Sequence, residues 1–479
     1  MRLSSSWSSF AILLALAAAC VPAGPRLPTE GPARRTDDDA CLIGDRVAAL
    51  ADTLTVALTD AVAPAGRSRP TTASERFVYA HLHRTLVRVD CEGRVRAGIA
   101  ESWKRDAGTL WTITLRDDAT FADGTPLTAA DVRASWQRLP AWAVPAIVRS
   151  AEGRTLVLEL ELQTDDAIAI LAHPALAPVR VGSSSSAGLG AGSHRTSGAV
   201  SPTRALLVPA TTPANAPPAP VLRIRQTPAN GARNQLDMGV DALIADDPAA
   251  IDYARTRTEY AIDTLPWTLT YALVVPGRTG TGTSDENEWL SRLRQQVSRD
   301  AVRGAARPAA GPFWWQGTSY CASIPGVAQN VARTGQRPPR IAYDETDPTA
   351  RAIAERLVAL SGFIEGSTER AAITTALPDM MGDTRLTALG LATHELEGLL
   401  SAGAVAGAIV ALPNRSLAPC LELTAPGILG IAVAASALDP RLVVPLIDVR
   451  PTLISRRGRF AGTVDLLGAV QVRGATTRE

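Results

Sequence analysis

Apolar and polar positions along this chain switch between a two-residue and a 3.6-residue period, most clearly between Ala97 and Leu139. Trp111–Leu115 (WTITL) alternates, as a strand with one buried face does. Asp123-Gly124 then signals a turn, and Pro126 fixes the backbone just beyond it. Thr128 with Asp131 three residues later predicts a capped helix start, and the carboxylate is also favoured by the helix dipole. Val132, Trp136 and Leu139 follow at i, i+4 and i+7 as one apolar stripe.

The same reading extends over the rest of the chain. Strands are expected at Thr53–Leu58, Arg154–Leu162, Val221–Arg225, Trp267–Val275, Arg340–Tyr343, Val405–Leu412, Leu442–Leu446 and Val464–Val472. Helices are expected at Glu75–Leu86, after the Asp247-Pro248 N-cap and N1 pair, at Glu288–Arg303 on a Trp289, Leu293, Val297 stripe, and at Ala350–Leu360 on Ile353, Leu357 and Leu360. Strands and helices that alternate in this way predict α/β sheets covered by helices on both faces. Gly182–Pro220 breaks the pattern with Ser, Gly, Ala, Thr and Pro, and reads as a solvated low-complexity loop. Its GSSSSAG stretch lacks the G-x-S-x-G spacing of a nucleophile elbow.

The wording of the clearest segment carries more than its periodicity. Ala100-Glu101-Ser102-Trp103, Leu115-Arg116, Phe121, Asp123-Gly124, Pro126, Thr128-Ala129 and Asp131-Val132 stand in the order and spacing of a family signature. They resemble the extracellular solute-binding proteins of family 5, the peptide/nickel-type receptors of ABC importers. Tyr79–Trp103, the helix near Asp247, Trp267–Val275 and Glu288–Arg303 resemble further family elements. The resemblance implies an α/β, two-lobed periplasmic-binding-protein fold of type II-like form, with an extra subdomain inserted in the first lobe. Mapped onto this chain, lobe I takes 45–70, 220–272 and 440–479, the inserted subdomain 71–182, the low-complexity loop 183–219 and lobe II 273–439. The last two strands, from Leu442 onward, are then expected to return to the first lobe.

Composition changes this picture mainly at the N-terminus. With 479 residues and 46% hydrophobic content the chain can bury large cores, and its length suits two or three domains. A net charge of +1, with the arginines scattered along the sequence and Lys104 the lone lysine, gives no reason to expect nucleic acid as a partner. Phe10–Ala19 is an apolar run too short to span a bilayer, and residues 1–20 have the layout of a secretion signal. Leu16-Ala17-Ala18-Ala19-Cys20 resembles a lipobox with Cys20 as the lipidated residue, although the leucine sits one position too far from the cysteine. An ordinary signal peptide cleaved nearby is the alternative. Either reading exports the protein to the periplasm or cell surface. Residues 21–44, rich in Pro, Gly and charge over most of their length, then read as a tether.

Export puts Cys41, Cys91, Cys321 and Cys420 in an oxidising compartment, where four cysteines allow three connectivities. The two-lobed architecture implied by the resemblance favours Cys41–Cys91 and Cys321–Cys420, each pair within one lobe, and family members often carry a disulfide in the second lobe. No pair has the CxxC-like spacing of a zinc site.

Catalytic chemistry is not called for. His81 and His83 are two apart, which puts them on different faces of a helix. His394-Glu395-Leu396-Glu397-Gly398 begins like a zincin motif without its second histidine. The expectation is therefore a binding protein rather than an enzyme, with no cofactor and no metal. Aromatic candidates for the cleft wall are Trp267 and Tyr271 near a crossover, and Trp314, Trp315 and Tyr320 in GPFWWQGTSY. The resemblance implies a monomeric receptor that captures a small solute or peptide and docks on ABC permease subunits, held at the membrane by its lipid anchor. The family's late "W-x-x-DY-x-DP" region, whose aspartate can hold a peptide's α-amino group, has no counterpart around Gly403–Pro426. That departure leaves a second reading, a degenerate relative serving as a non-transport surface scaffold or sensor.

Overall fold

The computed structural model describes residues 41–45, 52–60, 70, 72–139, 146–160, 165–180, 189–198, 201, 203–211, 219–227, 231–275, 306–316, 340–362, 387–402, 404–405, 407–422, 432 and 443–473. Within these, two large sheets carry the architecture. The first has seven strands: β2 (Thr53–Leu58), β9 (His194–Thr196), β10 (Arg204–Pro209), β11 (Val221–Gln226), β12 (Ala242–Ala245), β13 (Tyr260–Thr264) and β20 (Thr452–Arg456), in the order β13-β20-β12-β2-β11-β10-β9. β11, β2 and β12 run parallel at its centre, as expected of strands joined by helical crossovers. Helix α1 (Ala73–Leu82) covers one face through Phe77 and Val78, and α3 (Ala232–Asp237) with α4 (Pro248–Arg255) covers the other. β1 (Leu42–Gly44) forms a small side sheet with β21 (Ala461–Val464) and β22 (Val470–Val472).

The second sheet has six strands: β14 (Leu269–Val274), β15 (Ala306–Pro308), β16 (Arg340–Asp344), β17 (Thr387–Leu391), β18 (Gly407–Pro413) and β19 (Val443–Val449), in the order β15-β19-β14-β18-β16-β17. β19 is buried at every residue, the mark of a central strand covered on both faces. Helix α5 (Pro348–Gly362) packs Ile353, Ala354 and Leu357 on one face, and α6 (Thr393–Ser401) packs Leu396 and Leu400 on the other. The inserted unit lies in sequence within the first sheet, between β2 and β9. It comprises the hairpin β3 (Val87–Val89) and β4 (Val95–Ala97), and the four-stranded sheet of β5 (Ala100–Ala107), β6 (Leu110–Leu115), β7 (Ala146–Glu152) and β8 (Thr155–Leu160) with helix α2 (Ala129–Trp136).

The caps of α2 and α4 form as their spacing predicts. Thr128 accepts from the Asp131 amide while the Asp131 carboxylate accepts from the Thr128 amide at 2.9 Å, and Asp247 caps α4 ahead of Pro248. Gly124 takes a φ of +86° in the predicted turn, a conformation that glycine adopts without steric cost. Leu139 lies beyond the end of α2 but still packs on the same core.

Several expectations fail for identifiable reasons. α1 starts at a Thr72/Glu75 capping box and ends at Leu82, not Leu86. Beyond it the chain turns extended at His83, because the Leu86 and Thr85 carbonyls pair with the Ala100 and Ile99 amides (2.9 and 3.0 Å) and Leu86 and Val87 bury in the inserted unit. Leu42–Gly44, at the end of the stretch read as tether, is a strand paired with β21. The segment 183–219 is not a solvated loop where it is described: β9 and β10 extend the first sheet, with Ala205 and Leu207 in its core. Its glycines are there for close approach, since a Cβ on Gly192 would lie 2.2 Å from the His81 carbonyl oxygen. Leu269–Ala272, placed in lobe I from the sequence, belongs to the second sheet, and so does β19, which does not return to the first. The crossovers are therefore 265–268, between β13 and β14, and Arg450-Pro451, between β19 and β20. Glu288–Arg303 lies outside the described residues.

Candidate functional site

A cavity of about 470 Å³ opens between the lobes, where α1, the inserted unit, the first crossover and the loop after β18 converge. Tyr79, Ala80 and His83 enter from the end of α1, Arg84 and Thr85 from the turn into β3, Arg88 from β3 itself, and Arg116 and Asp118 from beyond the end of β6. Trp267 and Thr268 come from the crossover, Arg415, Ser416 and Leu417 from the second lobe, and Asp465 and its neighbours from the β21–β22 turn. The extended break at His83 positions this wall: a helix continued to Leu86 would carry Arg84 and Arg88 elsewhere.

The lobes also touch beside the cavity. Ala418 and Leu421, after β18, bury in the core of the inserted unit, and His173 Nε2 lies 2.8 Å from a Glu422 carboxylate oxygen. Trp136 Nε1 donates to the Leu176 carbonyl at 2.8 Å, and the Tyr79 hydroxyl donates to the Pro174 carbonyl, so the segment around His173 is pinned from two sides. The Tyr79 ring stacks on His83 with centroids 4.4 Å apart. Burial lowers the pKa of His83 to about 4, so its imidazole is neutral at physiological pH. Asp465 is raised to about 6 by burial, opposed by the amides of Ala469 and Leu467 and then by the charges of Arg76 and Arg88.

Of the aromatic candidates, Trp267 lines the cavity. The guanidinium groups of Arg307 and Arg450 both lie over its ring, 4.4 Å and 4.7 Å from the centroid. Arg450 stands on the other crossover, so one indole ties the two chain passages between the lobes. Tyr271 and Trp315 are core side chains instead. Tyr271 is buried on the α5 face of the second sheet and Trp315, fully buried, on the α6 face. Trp314 packs beside Trp315 and donates from Nε1 to the Pro413 carbonyl at 2.8 Å. The apolar faces of β14 and β18 simply offered these rings more burial than the cavity does. Tyr320, Cys20 and Cys321 lie outside the described residues. Cys41 and Cys91 form a disulfide, which ties β1 to the β3–β4 hairpin.

A second feature sits between the lobes. Asp60 follows β2, Asp246 follows β12, and Asp347 caps α5, accepting from the Thr349 and Ala350 amides at 2.9 Å each. The Tyr271 hydroxyl donates to Asp347 at 2.9 Å. Burial, then the neighbouring charges of Asp60 and Asp347, push Asp246 up to about 7, and burial pushes Asp347 up to about 6.

The cavity residues apart from Trp267 were not singled out from the sequence. Their signal was HLHRTLVRV, His81–Val89, where five charged or polar side chains interrupt a segment otherwise fit for a helix or strand. His81 itself is structural: its Nδ1 bonds the Phe77 carbonyl at 2.7 Å, and its Nε2 accepts from the Val472 amide at 3.1 Å. Among the described residues no group of His, Cys, Asp and Glu is arranged to hold a metal ion, and no helix is long and apolar enough to cross a membrane.

Residues 94–189, the inserted unit, match the family of bacterial extracellular solute-binding proteins, family 5. A 54-residue segment is 50% identical to the periplasmic murein peptide-binding protein MppA of Escherichia coli, covering 11% of this chain and 10% of that protein. The chain thus matches only about a tenth of the length of this curated relative in sequence. The fold reaches further. NikA of Staphylococcus aureus, solved in complex with Ni(L-His)2, superposes with a TM-score of 0.60 at 14% identity, covering 84% of this chain and 95% of NikA. A periplasmic oligopeptide-binding protein from Borrelia burgdorferi superposes with a TM-score of 0.62 at 12% identity, covering 88% of this chain and all of the other (100%). Residues 94–189 are thus similar in sequence to the family 5 extracellular solute-binding proteins, and the two-lobed fold around them is shared with NikA and the oligopeptide-binding protein.

Proposed function

We propose that the protein is the solute-binding receptor of an ABC importer, that it captures a peptide-type solute between its lobes, and that it presents this solute to a membrane permease. The observation that carries the reading is the 470 Å³ cavity, walled by both lobes, the inserted unit and the first crossover. That volume lies within the usual range for small-molecule sites. A cavity shared by two rigid bodies converts ligand contacts into closure, because contacts to both walls exist only when the lobes approach. The match to a murein peptide-binding protein and the likeness to an oligopeptide-binding protein support a peptide over other solutes. Its relatives are binding proteins, and the same role is assigned here rather than an enzymatic one.

The same reading places the protein outside the cytoplasm. Export by the N-terminal signal, anchoring through lipidated Cys20 and a monomeric state complete the proposal. A thermal-shift screen against dipeptides, oligopeptides, nickel chelates and oligosaccharides tests it. A ligand that binds only the folded state at 100 times its dissociation constant adds about 2.7 kcal/mol. Stabilisation by a peptide is the expected result, and a flat response to every class would return the weight to a non-transport scaffold.

A further inference from the structure

The walls of the cavity carry an excess of positive charge that the sequence does not advertise. Among the described residues, Arg76, Arg84, Arg88, Arg116 and Arg415 line it against Asp118, Glu422 and Asp465, five cations to three carboxylates, with His83 neutral. The carboxylates are unevenly placed. Glu422 is bonded to His173, and Asp465 acts on Arg76 and Arg88. Asp118 is the acidic group near Arg84, and it is paired with Arg116 at 3.1 Å. Arg84 keeps contact with solvent but sits between the lobes, where loss of solvation and the like charges of Arg116 and Arg88 hold its guanidinium below the ordinary arginine value. Gathering like charges in a partly desolvated space is costly unless an anion completes the set.

One further observation points to an absent polar guest. The Thr268 hydroxyl is buried, in a residue 4% exposed, with no hydrogen-bond partner among the described residues. Thr268 lines this cavity. A buried polar atom without a partner costs about 1–3 kcal/mol, which a bound ligand can offset.

We infer that the solute is anionic, a peptide or small acid whose carboxylates face Arg84, Arg88 and Arg116 while Thr268 on the crossover donates a hydrogen bond. The inference rests on the cavity being the receptor's ligand site. Guanidinium groups suit carboxylates because their N–H donors match the two oxygens in a planar fork. A cationic solute would meet the surplus of like charge and be rejected.

Calorimetric titration of the full chain at pH 7.5 with Ala-Glu-Glu, Ala-Ala-Ala, Ala-Lys-Lys and citrate tests it. The expected result is that Ala-Glu-Glu or citrate binds at least tenfold tighter than Ala-Ala-Ala and Ala-Lys-Lys, and that affinity falls as salt is raised. Preference for the acidic peptide over citrate identifies the carboxylates as a peptide's, and the reverse identifies a small acid. Arg84→Glu should abolish that preference with an unchanged melting temperature, since Arg84 is exposed. Tighter binding of Ala-Ala-Ala or Ala-Lys-Lys, lost in Arg84→Glu or Trp267→Ala, would overturn the inference and leave the receptor reading standing. Binding of none of the four would overturn both.

Discussion

Trp267 earns its place through two cations rather than through a hydrophobic core. Arg307 and Arg450 both lie over its ring, and Arg307 is itself held by Asp448 at 3.0 Å. Each cation–π contact is worth about 0.5–1 kcal/mol at such a partly exposed site. Trp267→Ala should therefore lower stability by about 1–2 kcal/mol in urea unfolding, with Trp267→Phe recovering part of the loss. Gly192 makes the opposite demand: any side chain there meets backbone, with a Cβ 2.2 Å from the His81 oxygen and 2.3 Å from the Leu82 carbonyl carbon. Gly192→Ala should cost about 1–3 kcal/mol as an overpacking change, read as a lower urea midpoint. Neither role was legible in the sequence. Period-two alternation marks Tyr271 as readily as Trp267 for a wall or a core, and a Gly-Ala-Gly run reads as loop until its neighbour is known.

Among the elements, local signals were reliable where a cap or turn sets them and failed where pairing is long-range. The α2 cap was readable because Thr128 and Asp131 satisfy each other within one turn, with the Asp131 carboxylate at 2.6 Å from the Thr128 hydroxyl. Thr128→Ala should cost about 1 kcal/mol, measured by thermal unfolding. β9 and β10 were missed because their partners are each other and β11, and because Ser- and Gly-rich flanks outweigh the short alternation in RALLVP. β1 was missed for the same reason: three residues beside a polar tract acquire meaning only through β21 and through the Cys41–Cys91 bond. That bond closes a loop 50 residues long in sequence separation. Reduction should lower stability by about 2–4 kcal/mol, seen as a fall in melting temperature with dithiothreitol that is absent in a Cys41→Ala/Cys91→Ala variant.

For the whole molecule, topology gathers what the sequence scatters. Arginines from α1, the β3 turn, β6 and the loop after β18 show no cluster along the chain, yet they meet around one cavity. The same topology brings three carboxylates together. Asp60 and Asp246 leave the ends of parallel strands in the first sheet, and Asp347 opens α5 on the second, with Tyr271 and Asp247 beside them. Arg76 acts on Asp60 from α1, while burial and the Asp60 and Asp347 charges dominate at Asp246. The folded-state pKa of Asp246, about 7, lies above its ordinary value of 3.8. The ionised form is thus disfavoured in the fold, so the associated stability is complete below the ordinary value and is lost as pH rises through 7. At 1.36 kcal/mol per unit, the loss is bounded at about 4 kcal/mol. Asp246→Asn removes the charge and keeps the shape. Its melting temperature should exceed that of the natural chain at pH 8, and the gap should narrow steadily towards pH 5. A gap that stays constant with pH would mean that Asp246 ionises freely, and that the carboxylates between the lobes impose no electrostatic cost on their approach.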